Sequence, residues 1–250
     1  MTMAVMPGAP RRARMWAYAW WQCRDFAMSR ALVIVAVGIL SGWPLVRMIR
    51  AIPDANAAGT TMALSAWMHT MVLLFVFFAV NGMVARDRTT GTYRFLFAKP
   101  VSVPRFYAQV AAVNLLGLLA SAGVMYLVAL AFGATLPPRF FFAPFVVVGV
   151  GMGGLYFLVS VLTKHDVSVT GVLGLVSSLL YGMFGDETGI RGILVHALPP
   201  AHRLLAFGGV FGTGSAYGYT LHDALWIMGY GVGAFLVGVL LLSRRPLGVT

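Results

Sequence analysis

Two stretches of this chain contain almost nothing that can carry a charge. From Phe106 to Pro138 there is no Asp, Glu, Lys, Arg or His, and from Ala55 to Ala85 the only ionisable side chain is His69. A bilayer tolerates such stretches and penalises the alternative: a charged residue at mid-membrane costs roughly 2.5–3.5 kcal/mol on insertion scales. Backbone inside hydrocarbon must also satisfy its own hydrogen bonds, so these stretches are expected to be helices. Six spans are expected: Ser29–Met48, Met62–Ala85, Phe106–Phe132, Phe140–Thr163, Val167–Phe184 and Ala224–Ser243. The first is the shortest. Arg30 and Arg47 bracket it and Pro44 lies near its end, so it reaches the roughly 20 residues a crossing needs only if both arginines snorkel.

Composition agrees. Hydrophobic residues make up 60% of the chain and charged residues 10%, against about 25% charged in a soluble domain; mean hydropathy is +0.85. The class is an all-α integral membrane protein, one transmembrane domain over residues 1–250. A net charge of +11 in such a chain sets orientation and does not point to a nucleic-acid partner. Cys23 is the only cysteine, so no intrachain disulfide forms. Met1–Pro10 lacks a hydrophobic centre and no cleavage site comes after it, so the first span reads as retained.

Residues 11–30 read as an interfacial amphipathic helix. Trp16, Trp20, Cys23 and Ala27 share one helical face, and Arg14, Tyr18, Gln22, Asp25 and Ser29 share another. Six spans put both termini on one side. Thirteen of the 18 Lys and Arg then fall on that side, and the positive-inside rule makes it cytoplasmic. Gly149–Gly153 and Gly229–Gly233 are small-xxx-small pairs at which helices are expected to approach closely.

Between the second and third spans lies a charged island, Arg86–Arg105. Thr89 or Thr90 can cap a short helix. Tyr93, Phe95, Leu96 and Phe97 give it an apolar face among Arg94 and Lys99, and Pro100 ends it. A short aromatic helix held at a membrane surface either lies on lipid or docks in a groove of a soluble partner.

The island resembles the first cytoplasmic loop of ABC transporter permeases of the second exporter type (ABC-2). Asp87, Gly91, Thr92, Leu96, Pro100, Val101 and Ser102 match that pattern, with two departures. The family usually has Glu at the position of Asp87, and a basic residue directly after Pro-Val-Ser, where this chain has Val103 and Pro104 before Arg105. The resemblance implies a coupling helix that seats on a separate ATPase subunit, with Asp87, Gly91, Thr92, Arg94, Phe95, Leu96, Phe97 and Pro100 as coupling residues. It implies a second permease chain, identical or related, in a cell-membrane exporter. It also makes residues 11–30 an elbow helix and 185–223 a pair of re-entrant outer helices. Ile190–Leu198 and Ala201–Val210 are apolar enough for the latter, split by Pro199-Pro200.

The chain has no ATP-binding loop of its own. Its two lysines, Lys99 and Lys164, come after Ala98 and Thr163 rather than glycine, so no enzyme activity is expected and a partner would hydrolyse ATP. No acid lies inside a span to relay protons or hold sodium, which places the driving force outside the chain. No cofactor is implied. Asn81, Asn114 and Tyr126 are the substrate-path candidates, with interhelical hydrogen bonding the plainer role for the two asparagines. His165-Asp166 reads as a solvated helix cap. An alternative is an intramembrane metal-dependent enzyme, which requires His196, His202 and Asp223 to converge, although no metal site is expected. Another is a non-transporting assembly or sensor protein with no ATPase partner.

Overall fold

A computed structural model describes residues 11–50, 67, 71–85, 87, 91, 102–131, 137–163, 165–185, 187, 189–206 and 220–244. All regular secondary structure among them is helical. Five helices are long and apolar enough to cross a membrane: Tyr18–Pro44, Val103–Ala131, Phe141–Leu162, Asp166–Phe184 and Leu221–Arg244. Of the second expected span, Met62–Ala85, the described part holds a shorter apolar helix, Met71–Val80.

The elements are α1 (Arg11–Phe26), a π turn (Ala27–Ala31), α2 (Leu32–Arg50), α3 (Met71–Val80), α4 (Val103–Ala131), α5 (Pro138–Leu162), α6 (Asp166–Phe184), α7 (Ile190–Ala197), α8 (Ala201–Ala206) and α9 (Leu221–Arg244). The first of these differ from the expected elbow. Phe26 and Leu32, on either side of the π turn, both keep helical backbone angles, so the helix runs from Arg11 to Arg50 without a corner. The local sequence explains it: Ala27-Met28-Ser29-Arg30-Ala31 contains no Gly, Pro or capping pattern that would stop a helix. The apolar stretch therefore starts at Tyr18 rather than Ser29, and the shortage of length disappears. Trp20, Trp21 and Cys23 face outward, whereas Gln22 and Phe26 are buried.

Side-chain pairings fix the relative directions of the helices. Phe26 fills the space beside Gly117, and Gly38 lies against Met125, so α1–α2 runs parallel to α4. Arg30 meets Ala79, Gly38 meets Phe75 and Ser41 meets Met71, so α3 runs against α2. Phe75 stacks on Phe145 and Phe77 packs on Tyr156, making α3 parallel to α5. Tyr107–Phe157 and Tyr126–Phe141 make α4 antiparallel to α5.

Helix α5 is the centre of the bundle. Its apolar window is 67% buried, against 11% for α6 at the margin. It packs most closely on α9, in parallel. A Cβ on Gly154 would collide with the Gly231 carbonyl, and one on Gly231 with the Val150 carbonyl; Ile227 occupies the space beside Gly151. The buried face of α9 is Ala224, Ile227, Gly231, Ala234, Gly238 and Leu242, a three-four spacing that keeps small residues on one stripe. Of the expected glycine pairs, Gly149–Gly153 lies against neighbouring helices and Gly229–Gly233 does not. Gly229 and Gly233 face open space, and Gly149 and Gly153 border side chains of other helices.

At the end of the bundle where α6 finishes, α7 and α8 are two short helices separated by Pro199-Pro200, which cannot continue α7. The Ser177 hydroxyl donates to the Pro199 carbonyl and ties this corner to α6.

Candidate functional site

The site lies where α3 stops. Gly82 has φ +72°, a left-handed conformation that costs glycine little and other residues more. The chain turns through Asn81–Val84. Ending a helix inside a packed apolar bundle frees backbone carbonyls and N–H groups, each of which must find a partner.

The partners come from three directions. The Arg30 guanidinium, carried by the π turn of the first helix, donates to the carbonyls of Ala79 and, at 3.0 Å, Asn81. The Gly82 N–H donates to Asp166 Oδ2 at 3.2 Å, at the first residue of α6. The Val84 and Ala85 N–H groups both donate to Ser160 Oγ near the end of α5, at 3.1 and 2.7 Å. Two lone pairs let one hydroxyl accept both. A fourth helix joins at Asp87, whose carboxylate accepts from the Tyr107 hydroxyl of α4 at 3.2 Å.

These side chains are held firmly. Ser160 and Tyr107 are buried, and the Tyr107 ring packs between Phe106 and Phe157. Asp166 is buried too, with Oδ1 accepting the Val167 N–H at 2.9 Å. Its negative charge sits at a helix N-terminus, where the helix dipole favours it. The expected solvated cap is thus an interior clamp residue. The π turn fits as well, since such turns are frequent at functional positions. Among the described residues here, none is arranged as a nucleophile with its base. The arrangement fixes mechanically the polypeptide leading into the charged island, linking it to α1–α2, α4, α5 and α6.

Of the expected coupling residues, Asp87 is in the clamp. Gly91 is described with φ +69° and open space around it, a position where a side chain would strain the backbone. Thr92, Arg94, Phe95, Leu96, Phe97 and Pro100 lie outside the described residues. The path candidates are not brought together. Asn81 is in the clamp turn and contributes its backbone carbonyl. Asn114 is buried in α4, its amide nitrogen without a partner among the described residues. Tyr126 is about 18 Å further along α4 and packs on Phe141 and Phe142.

Sequence reasoning gave no clamp role to Arg30, Tyr107 or Ser160. The available signal was Asn81-Gly82, a turn dipeptide inside an apolar run, which demands partners for the backbone it frees.

At the opposite end, Thr220 and Asp223 cap α9 reciprocally. The Asp223 N–H donates to Thr220 Oγ1, and the Thr220 N–H donates to Asp223 Oδ2, each at 3.2 Å. Asp223 also pairs with Arg203 at 2.8 Å. His196 Nδ1 lies 2.8 Å from the Gly192 carbonyl. Among the described residues no three His, Cys, Asp or Glu side chains gather as metal ligands, and the His202 side chain is outside them.

The fold defines an all-helical protein with five helices suited to spanning a bilayer, of the multi-pass membrane class. Compared with known proteins, the chain matches no family model, no curated protein and no solved structure.

Proposed function

We propose that this chain is the membrane-spanning permease subunit of an ATP-driven exporter of the ABC-2 type, with the island Arg86–Arg105 seated on a separate ATPase. The observation that carries this reading is the clamp. The bonds that satisfy the backbone freed where α3 ends also tie the start of the island to four helices, a linkage that a loop receiving force would use. The ties at Arg30, Tyr107, Ser160 and Asp166 would pass a displacement of the island into the bundle. A second chain would complete the substrate path.

The six-span topology belongs to the same reading. Counted with α3, six apolar helices alternate in direction, which is what termini on one side of the membrane require. The basic residues favour the cytoplasm for that side. The short helices α7 and α8 would be the re-entrant pair at the outer face.

The test is co-purification from native membranes. The tagged chain should retain an ATPase with a nucleotide-binding loop, and Phe95→Asp with Phe97→Asp should lose it at unchanged helix content and monodispersity. A wild-type chain that retains no such ATPase, or a doubly charged variant that keeps it at wild-type yield, ends the proposal.

A further inference from the structure

A cavity of about 520 Å³ opens between α7, the loop before it and α9, at the end of the bundle away from the clamp. Its size is within the roughly 300–1,000 Å³ usual for small-molecule sites. Glu187, Gly192, Ile193, His196, Trp226 and Tyr230 are among its lining residues. Gly192 lets the loop close on α7: a Cβ there would collide with the Glu187 carbonyl.

We propose that this cavity binds an amphiphilic organic cation, an apolar body carrying a protonated or quaternary nitrogen. The charge balance of the lining decides the sign. Glu187 is the one acid among its described lining residues, and its carboxylate has no ion-pair or hydrogen-bond partner among the described residues. The nearby basic groups do not offset it. Arg203 is held by Asp223 at 2.8 Å. Arg191 lies about 145° around α7 from the face formed by Gly192, Ile193 and His196. His196 points Nδ1 at the Gly192 carbonyl; a carbonyl only accepts, so in the neutral ring Nε2 is left as an acceptor.

The aromatic lining fits an organic cation better than a hydrated inorganic one. Trp226 and Tyr230 supply aromatic surface to the lining, of the kind organic cations bind on. The approach is apolar. Ile193 of the lining is exposed, as are Ile190 and Leu194 on α7 and Leu221 and Leu225 on α9, so a ligand would enter from lipid with its apolar body leading. This inference stands on the cavity alone and holds or fails independently of the permease reading.

The experiment uses the full chain in nanodiscs, with equilibrium dialysis of tetraphenylphosphonium and of the equally sized anion tetraphenylborate, each corrected with empty nanodiscs. The wild type should bind the phosphonium saturably and the borate not at all. Glu187→Gln should weaken phosphonium binding at least tenfold, Arg191→Gln should leave it unchanged, and Glu187→Lys should transfer binding to the borate. Glu187 is exposed in a loop, so unchanged melting of these variants is the folding control. No saturable phosphonium binding, equal binding of both probes, or equal affinity in wild type and Glu187→Gln would overturn the proposal.

Discussion

Ser160 has a disproportionate role because one hydroxyl accepts two backbone N–H groups in a dry interior. Ser160→Ala leaves both donors unsatisfied, at about 1–3 kcal/mol for each group that finds no water. Thermal melting in detergent should register a clear loss, and Ser160→Thr, which keeps the acceptor, should recover most of it. Arg30 is a matched case. Two separate guanidinium nitrogens reach two carbonyls, a fork that the single ammonium of lysine does not reproduce. Arg30→Lys should therefore behave closer to Arg30→Met than to wild type when protease cleavage within 86–105 is timed. Gln22 predicts the opposite sign. It is buried with neither amide atom partnered among the described residues, and it precedes Phe26 by one turn, as Asn114 precedes the Gly117 that Phe26 packs on. Unpartnered amide atoms of both side chains at this seam disfavour the fold. Gln22→Met should raise the melting temperature. A fall would mean that the amide finds a partner in the working protein, and would return Asn114 to the substrate path.

Between elements, the strongest constraint is the α5–α9 seam, where backbone meets backbone at Gly154 and Gly231. Gly154→Val has no side chain to push aside, so the helices must separate; overpacking of this kind costs about 1–3 kcal/mol or more. Gly229→Ala on the same helix as Gly231 faces open space and should melt within a degree or two of wild type, or slightly above it through helix propensity. If both variants melt alike, the seam is misplaced. The pair also shows what the sequence can and cannot reveal. Glycine enrichment in these two helices was readable, because close packing in membranes draws on small residues. The face was not, because Gly151, Gly154, Gly229, Gly231 and Gly233 offer several stripes, and only the partner helix selects one. Likewise Arg30 reads as the edge of a span when charge alone is weighed. The structure continues the helix through it, because its charge is satisfied by carbonyls at the end of α3.

For the molecule as a whole, five membrane-suited helices were legible because hydrocarbon filters charge residue by residue, and that filter operates along the chain. The clamp was not, because it joins Arg30, Gly82, Tyr107, Ser160 and Asp166, which become neighbours only after helices from distant regions have packed. The corner between α7 and α8 was legible in outline from Pro199-Pro200, and its cavity was not, for the same reason. Among the described residues the clamp with Asp87 lies at one end of the helices, and Glu187 with α7 lies at the other. Cys23 is the sole cysteine, so Cys23→Ala gives a background in which single cysteines report topology. In that background Thr92→Cys should react with a membrane-impermeant maleimide only in inverted vesicles, and Glu187→Cys only in intact cells. Labelling of both positions from the same side would remove one crossing and with it the six-helix alternation. Labelling of Thr92→Cys from outside the cell and of Glu187→Cys from inside would leave the alternation intact but put the island out of reach of any ATP-driven partner, so the two failures are separable in one experiment.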